Sequence, residues 1–359
     1  MLLALILCFA LSLLFSLILV FFLSIKFNWM LDHDTQGIQK FHVKPVPRLG
    51  GLAMFIAMLP VLFVVKQELG IQLTLLFCTA LPAFLGGIAE DITKKVSPLI
   101  RLLLTFCSAA IGFYLFDAQA TRLGLDFTDD YLLTFTPVAL VVTIFMVGGV
   151  SHSVNIIDGY NGLMLGLMLM LFGTMAYVSY DLGDTLMMEL NLLVIAVIAG
   201  VFILNFPLGK IFSGDGGAYL LGYLAATVSL LMVQRNSHLS PWFALLLMIL
   251  PIWETVFSIY RRKFIQRTSA TEPDNLHLHS LIYRFLERYW FKPGLNHSWL
   301  NNALVGPCIW LFCLALNIIP VMFFWYHTKL LVSCIMLSIL VYMLMYRVLY
   351  KAVTKGQAD

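Results

Sequence analysis

Glu90-Asp91-Ile92-Thr93-Lys94 sets two adjacent carboxylates just ahead of an ammonium group. If the apolar run before it continues as a helix, Asp91 and Lys94 share a face at i and i+3. Asp91 could then take a proton from a phosphate, or hold a cation against it, while Lys94 neutralises the anion. Asn155-Ile156-Ile157-Asp158-Gly159-Tyr160-Asn161-Gly162 gathers oxygen-bearing side chains between glycines, with His152 just before it and no basic residue. In a soluble chain this would be an ordinary turn. Between two apolar runs it suits a divalent cation or a hydroxyl-rich substrate. Ser213-Gly214-Asp215-Gly216-Gly217 holds one carboxylate among glycines, so Asp215 can offer oxygens to Mg²⁺ while nearby amides face phosphate. The Gly-x-x-x-x-Gly-Lys-Ser/Thr pattern of a nucleotide-binding P-loop is absent.

Two basic segments complete the set. Lys40-Phe41-His42-Val43-Lys44-Pro45-Val46-Pro47-Arg48-Leu49-Gly50-Gly51 reads as an extended strap, because its prolines exclude a regular helix, and its glycines let backbone amides approach a ligand. Arg48 is its candidate phosphate-binding side chain. Farther on, Arg261-Arg262-Lys263 opens a long polar stretch that reaches His277-Leu278-His279. Two histidines at i and i+2 fall on one face of an extended segment. There they could donate hydrogen bonds to a diphosphate or ligate a metal, although no third histidine or thiol stands nearby.

The elements that must position these groups are membrane helices. The chain has 359 residues, 61% of them hydrophobic and 11% charged, with mean hydropathy +0.92; soluble proteins carry about 25% charged residues. Leu2 to Ile25 has no charge and exceeds the roughly 20 residues that cross a hydrocarbon core. It lacks the basic start of a signal peptide and reads as a retained helix. Further apolar runs lie near 49–66, 71–89, 100–116, 132–150, 163–180, 188–206, 217–234, 241–260, 302–325 and 330–349, which gives an all-α polytopic membrane protein of about eleven spans. No repeat or composition shift divides residues 1–359, so the chain reads as one membrane domain. The 261–300 stretch is its large polar loop.

Lys and Arg orient the bundle. Only Lys66, Arg122, Arg235 and Lys329 of the 22 basic residues fall on one side of the predicted topology, which otherwise carries aspartates. The positive-inside rule therefore puts the four acidic and histidine segments in the cytoplasm, with the N-terminus outside and the C-terminus inside. Carboxylates beside a membrane are costly and mark function. The six cysteines, Cys8, Cys78, Cys107, Cys308, Cys313 and Cys334, lie in apolar spans without Cys-x-x-Cys spacing, so they read as free, buried thiols rather than zinc ligands or disulfides.

In order and content these segments resemble those of the bacterial polyprenyl-phosphate N-acetylhexosamine-1-phosphate transferases, the superfamily of the WecA-like enzymes and of phospho-N-acetylmuramoyl-pentapeptide transferase. Pro47-Arg48-Leu49-Gly50-Gly51 is similar to the family's Pro-x-x-Gly-Gly motif, and Glu90-Asp91-x-x-Lys94 to its Asp-Asp-x-x-Lys. Asn155-x-x-Asp158-Gly159 resembles Asn-x-x-Asp-Gly, and Gly214-Asp215-x-Gly217 the metal-binding Gly-Asp-x-Gly. His277-Leu278-His279 falls where the family has a histidine-rich motif, on a loop that recognises the nucleotide-sugar. The likeness runs from about Lys40 to Arg284. Three positions depart from it: Glu90 for Asp, Asn161 for Asp and Ser280 for His. They bear on the donor sugar rather than the reaction, and point to a branch used for O-antigen or other surface glycans.

The resemblance implies transfer of a HexNAc 1-phosphate, by default from UDP-GlcNAc, to undecaprenyl phosphate with release of UMP, at the bacterial inner membrane. It implies catalytic roles for Asp91, Glu90 and Asp158 and substrate contacts from Lys94, Asn155, Arg48, His277, His279 and Arg262. Asp215 would hold Mg²⁺, for which Mn²⁺ could substitute. A homodimer is in keeping with the family, and no nucleic-acid partner is expected. The competing reading is a polytopic transporter, but transporters carry ionisable groups near the bilayer midplane, whereas here Glu254 is the main charge inside a span. An intramembrane hydrolase lacks its Gly-x-Ser-x-Gly or His-Glu-x-x-His.

Overall fold

The computed structural model describes residues 1–26, 31–32, 46–267, 274–290 and 298–354. The first half of the basic strap, 40–45, and the segments 268–273 and 291–297 of the large polar loop lie outside the described residues. Fourteen helices follow in order: α1 Leu2–Lys26, α2 Gly50–Met58, α3 Gln67–Thr93, α4 Pro98–Leu115, α5 Thr136–Ile156, α6 Leu163–Asp181, α7 Thr185–Asn205, α8 Gly214–Arg235, α9 Trp242–Leu247, α10 Ile249–Tyr260, α11 Leu278–Tyr289, α12 Ser298–Cys313, α13 Ile319–Phe324 and α14 Thr328–Thr354. A short antiparallel ladder pairs Leu31 with Pro47 and Asp32 with Val46, so the end of the strap is extended as expected.

Among the described residues nine helices are long and apolar enough to cross a membrane, fewer than the eleven expected. The two that fall short are helical but interrupted, and prolines account for both. In the 49–66 run α2 stops at Met58 because Pro60 follows and disfavours helix in the residue before it; a 3₁₀ turn, Pro60–Phe63, takes over. In the 241–260 run Pro251 has no N–H for the carbonyl of Leu247, four residues back. The run accordingly divides at Met248 into α9 and α10.

The bundle is built around α8. This helix is buried along its whole apolar window, with α3, α5, α2, α4 and α6 packed around it. A helix that is apolar on every side is stable only at the centre of such an arrangement. Lipid is as apolar as a leucine, so contacts between helices rest on close packing and on hydrogen bonds. One such bond runs from the Ser12 hydroxyl of α1 to the Val197 carbonyl of α7 at 2.7 Å. The cysteines are free, as expected, but only Cys8 and Cys313 are buried; Cys78, Cys107 and Cys308 are exposed on the bundle surface. A thiol facing lipid is as well accommodated as one facing the core.

Candidate active site

The site is assembled at the N-terminus of α8. Asp215 stands in its first turn, not in a free loop. The orphan N–H groups there are met by another helix: Asp91, near the end of α3, accepts from the Asp215 amide through Oδ1 and from the Gly216 amide through Oδ2, each at 2.9 Å. A carboxylate against a helix N-terminus is favoured by the helix dipole and satisfies donors that would otherwise be buried unpaired. Asp91 is itself only 4% exposed. It thus ties α3 to α8 and fixes where Asp215 points.

The strap supplies the second wall. Phe212 N donates to Pro47 O at 2.9 Å, Gly50 N to Phe212 O at 2.9 Å, and Gly51 N to Ser213 O at 2.8 Å. These bonds lace the Pro47–Gly51 segment onto the residues that lead into α8. Backbones this close leave no room for side chains. A Cβ at Gly51 would overlap the Gly217 backbone, and one at Gly214 would strike the Arg48 carbonyl and the Asp91 carboxylate. Gly214 also has φ +72°, a left-handed conformation that glycine adopts without strain.

Laced in this way, the strap brings Arg48 to the acids. Its Nη2 lies 3.0 Å from Asp215 Oδ1 and its Nε 3.6 Å from Asp91 Oδ1. The second Asp215 oxygen is bound by Arg101, from the first turn of α4. Asp158, in the turn after α5, accepts from the Ser213 hydroxyl. Burial pushes the Asp158 carboxyl up to about 6, against the Ser213 bond and the Arg48 charge, which both lower it. Three carboxylates thus share one small volume with two guanidiniums, as the sequence reading expects of Asp91, Asp158, Asp215 and Arg48.

The other expected residues are placed differently. α3 ends at Thr93, and Lys94 is its left-handed cap with φ 56°, so Asp91 and Lys94 do not share a helical face. The reason is local: the Glu90 carboxylate accepts from Val96 N at 2.7 Å and bends the chain away. Lys94 remains exposed at the rim. Asn155 lies in the last turn of α5 with its amide 3.5 Å from the Tyr219 hydroxyl, which shares a 3.1 Å bond with His152 Nδ1. Asn161 is engaged by the fold: its N–H donates to Asn302 Oδ1 at 2.7 Å and its amide to Pro207 O at 3.0 Å.

His277 and His279 form a second cluster across the 155–162 turn. His277 is the extended cap of α11, with ψ 152°, and the helix begins at Leu278. That single extended residue lets the two rings stack with centroids 5.1 Å apart, although i and i+2 diverge within a helix. His279 then meets the edge of Tyr160 at 5.5 Å, close to Gly159. Burial, with the His277 charge adding to it, lowers His279 to about 4, so its ring is neutral at physiological pH. Arg262 is buried where the chain leaves α10.

Sequence reasoning missed Arg101, Ser213 and Tyr219. For Arg101 the sequence does hold a signal: a guanidinium at the start of the apolar run of α4 needs a partner. Ser213 and Tyr219 gave none, since each is an ordinary residue until α8 presents it to Asp158 or Asn155.

Asp215 offers carboxylate oxygens, the donor type Mg²⁺ takes, and both are held by guanidinium nitrogens of Arg48 and Arg101. Among the described residues no group of three or more His, Cys, Asp or Glu side chains forms a metal cage. Mg²⁺ is usually held by one or two carboxylates together with water and substrate phosphates. Asp215 could serve as such a carboxylate once the substrate phosphates draw Arg48 and Arg101 from its oxygens, whose charge they balance here.

The profile of glycosyl transferase family 4 matches residues 73–233, which span the Asp91, Asp158 and Asp215 segments. The chain is similar to the probable undecaprenyl-phosphate N-acetylglucosaminyl 1-phosphate transferase of Bacillus subtilis (strain 168), at 30% identity over 76% of this chain and 74% of that protein. It is 29% identical to the undecaprenyl-phosphate alpha-N-acetylglucosaminyl 1-phosphate transferase of Yersinia pestis, over 70% of this chain and 69% of that one. The protein of the same name from Escherichia coli (strain K12) is 27% identical over the same shares. With these relatives matched along most of their length and the motif segments gathered at the head of α8, the chain belongs to glycosyl transferase family 4, among its WecA-like members.

Proposed function

We propose that this protein transfers an N-acetylhexosamine 1-phosphate, GlcNAc 1-phosphate by the names of its relatives, from a UDP-sugar to undecaprenyl phosphate. The observation that carries the reading is the cluster at the end of a membrane helix bundle: Asp91, Asp158 and Asp215 interleaved with Arg48 and Arg101. An oxygen of the lipid phosphate attacks the sugar-bearing phosphorus of the donor. The bond from that phosphorus to the oxygen shared with the nucleotide phosphate breaks, and UMP leaves with that oxygen. A new diphosphate joins lipid and sugar.

Such a reaction is catalysed by positioning and charge neutralisation more than by covalent chemistry. Arg48 and Arg101 supply fixed positive charge at the head of α8, whose dipole also favours an anion. Asp215 is suited to hold Mg²⁺, which would supply further charge neutralisation of the diphosphate. Asp158, pushed up to about 6 by burial, is suited to take a proton from a monoprotonated lipid phosphate. The excess of Lys and Arg on the motif side favours the cytoplasmic face of the bacterial inner membrane, with O-antigen or a related surface glycan as the pathway. The experiment incubates purified protein with undecaprenyl phosphate, Mg²⁺ and a panel of UDP-HexNAc donors. UMP together with a lipid-diphosphate-sugar of matching mass is expected. Free UDP would mean that the glycosidic bond was cut, and would exclude the reading.

A further inference from the structure

Glu254 is a carboxylate in the middle of α10, 1% exposed, and the reaction as described makes no use of it. A charge so placed is costly unless every oxygen is engaged. Its Oε1 meets His277 Nδ1 at 2.8 Å, its Oε2 accepts from the Tyr342 hydroxyl at 2.9 Å, and the Leu278 amide lies 3.2 Å from Oε2. The other nitrogen of His277, Nε2, stands 3.6 Å from Asp274 Oδ2. Asp274 is in turn paired with Arg261, which donates to the Tyr346 hydroxyl at 2.7 Å. Tyr342 and Tyr346 lie one turn apart on α14, so the final helix anchors both ends of the chain of bonds.

This network divides the histidine pair. Each ring nitrogen of His277 faces a carboxylate, which leaves it no polar edge for a substrate. His279 stacks on it and turns toward Gly159 and Tyr160, beside Asp158. The position of His279 therefore follows from that of His277, and that of His277 from Glu254.

We propose that Glu254 is a positioning residue for the nucleotide-sugar side of the site: with Tyr342 it holds His277 and the head of α11 so that His279 is presented at the 158–160 turn. The inference rests on the proposed function, and on the resemblance of the His277–His279 segment to a nucleotide-sugar motif, for the identity of the ligand. It makes α14, which carries none of the recognised motifs, part of the binding machinery.

The test measures the affinity of the full-length protein in nanodiscs for UDP-GlcNAc, together with steady-state KM values for donor and for undecaprenyl phosphate. Glu254→Ala is expected to weaken donor binding about tenfold, about 1.4 kcal/mol, with the lipid KM unchanged. Glu254→Gln keeps an acceptor for His277 and should restore most of the affinity. Tyr342→Phe removes one hydroxyl and stays informative if Glu254→Ala does not fold; a smaller loss, confined to the donor, is expected. Donor affinity unchanged in Tyr342→Phe and in a folded Glu254→Ala, or donor and lipid constants moving together, would overturn the proposal. Wild-type protein that binds UDP-GlcNAc but releases no UMP would sink the proposed function alone. Failure to bind any UDP-HexNAc of the panel would sink both.

Discussion

Asp91 and Asp215 are both aspartates in polar segments, yet their surroundings give them separate work. Asp215 has its two oxygens on the guanidiniums of Arg48 and Arg101 and is the proposed Mg²⁺ ligand; Asp91 has both oxygens on backbone amides of α8. Asp215→Asn should therefore abolish turnover and the response to Mg²⁺ while the protein stays folded. Activity within about tenfold of wild type, about 1.4 kcal/mol in barrier, would refute that assignment. Asp91→Asn sets an NH₂ group against a backbone N–H, so one buried donor loses its partner, at about 1–3 kcal/mol. Activity and thermal stability should fall together. A loss of activity with unchanged stability would identify Asp91 as a base rather than an anchor. Glu90→Gln keeps an oxygen for Val96 N and should be milder in both assays.

At the scale of elements, the site depends on how closely the strap approaches α8. Gly51→Ala would force a Cβ into the Gly217 backbone, and the head of α8 would have to shift. Overpacking of this kind costs about 1–3 kcal/mol, and a displacement near 1 Å in an active site can cost about 10²-fold in rate. Gly149→Ala is the control: it also lies in a helix, α5, but a Cβ there meets nothing within 4 Å. Turnover assays and melting curves on the two variants should separate close approach from glycine content. Equal effects would show that the approach of the strap to α8 is not what positions the site.

For the whole molecule, two buried groups act on acid stability in opposite directions. His279 titrates near 4 in the folded protein against 6.5 ordinarily, so between those values the unfolded chain binds the extra proton. Its contribution is full above 6.5 and is lost as pH falls toward 4. Asp158, raised to about 6 from 3.8, contributes most below 3.8 and loses that contribution as pH rises through 6. His279→Gln removes the first effect alone. Its melting temperature should fall less than that of wild type between pH 6.5 and 4, by an amount corresponding to on the order of 1–3 kcal/mol. Parallel curves would show that the ring is not buried in its neutral form.

The sequence by itself determined the membrane class, the apolar runs, the order of the motif segments and their gathering at one end of the bundle. Hydropathy and residue type are local properties that any stretch of chain displays. They locate Asp91, Asp158, Asp215 and the histidine pair without contacts, but do not show the breaks near Pro60 and Pro251. Tertiary structure alone decided which carboxylate caps and which is presented, because that depends on whose amides and guanidiniums arrive. Asp91 meets α8 across 124 positions of sequence, and Arg101 reaches Asp215 across 114. Glu254 finds Tyr342 across 88. At those separations no periodicity links the partners; only the packing of α3, α4 and α14 against the rest of the bundle brings them within a hydrogen bond.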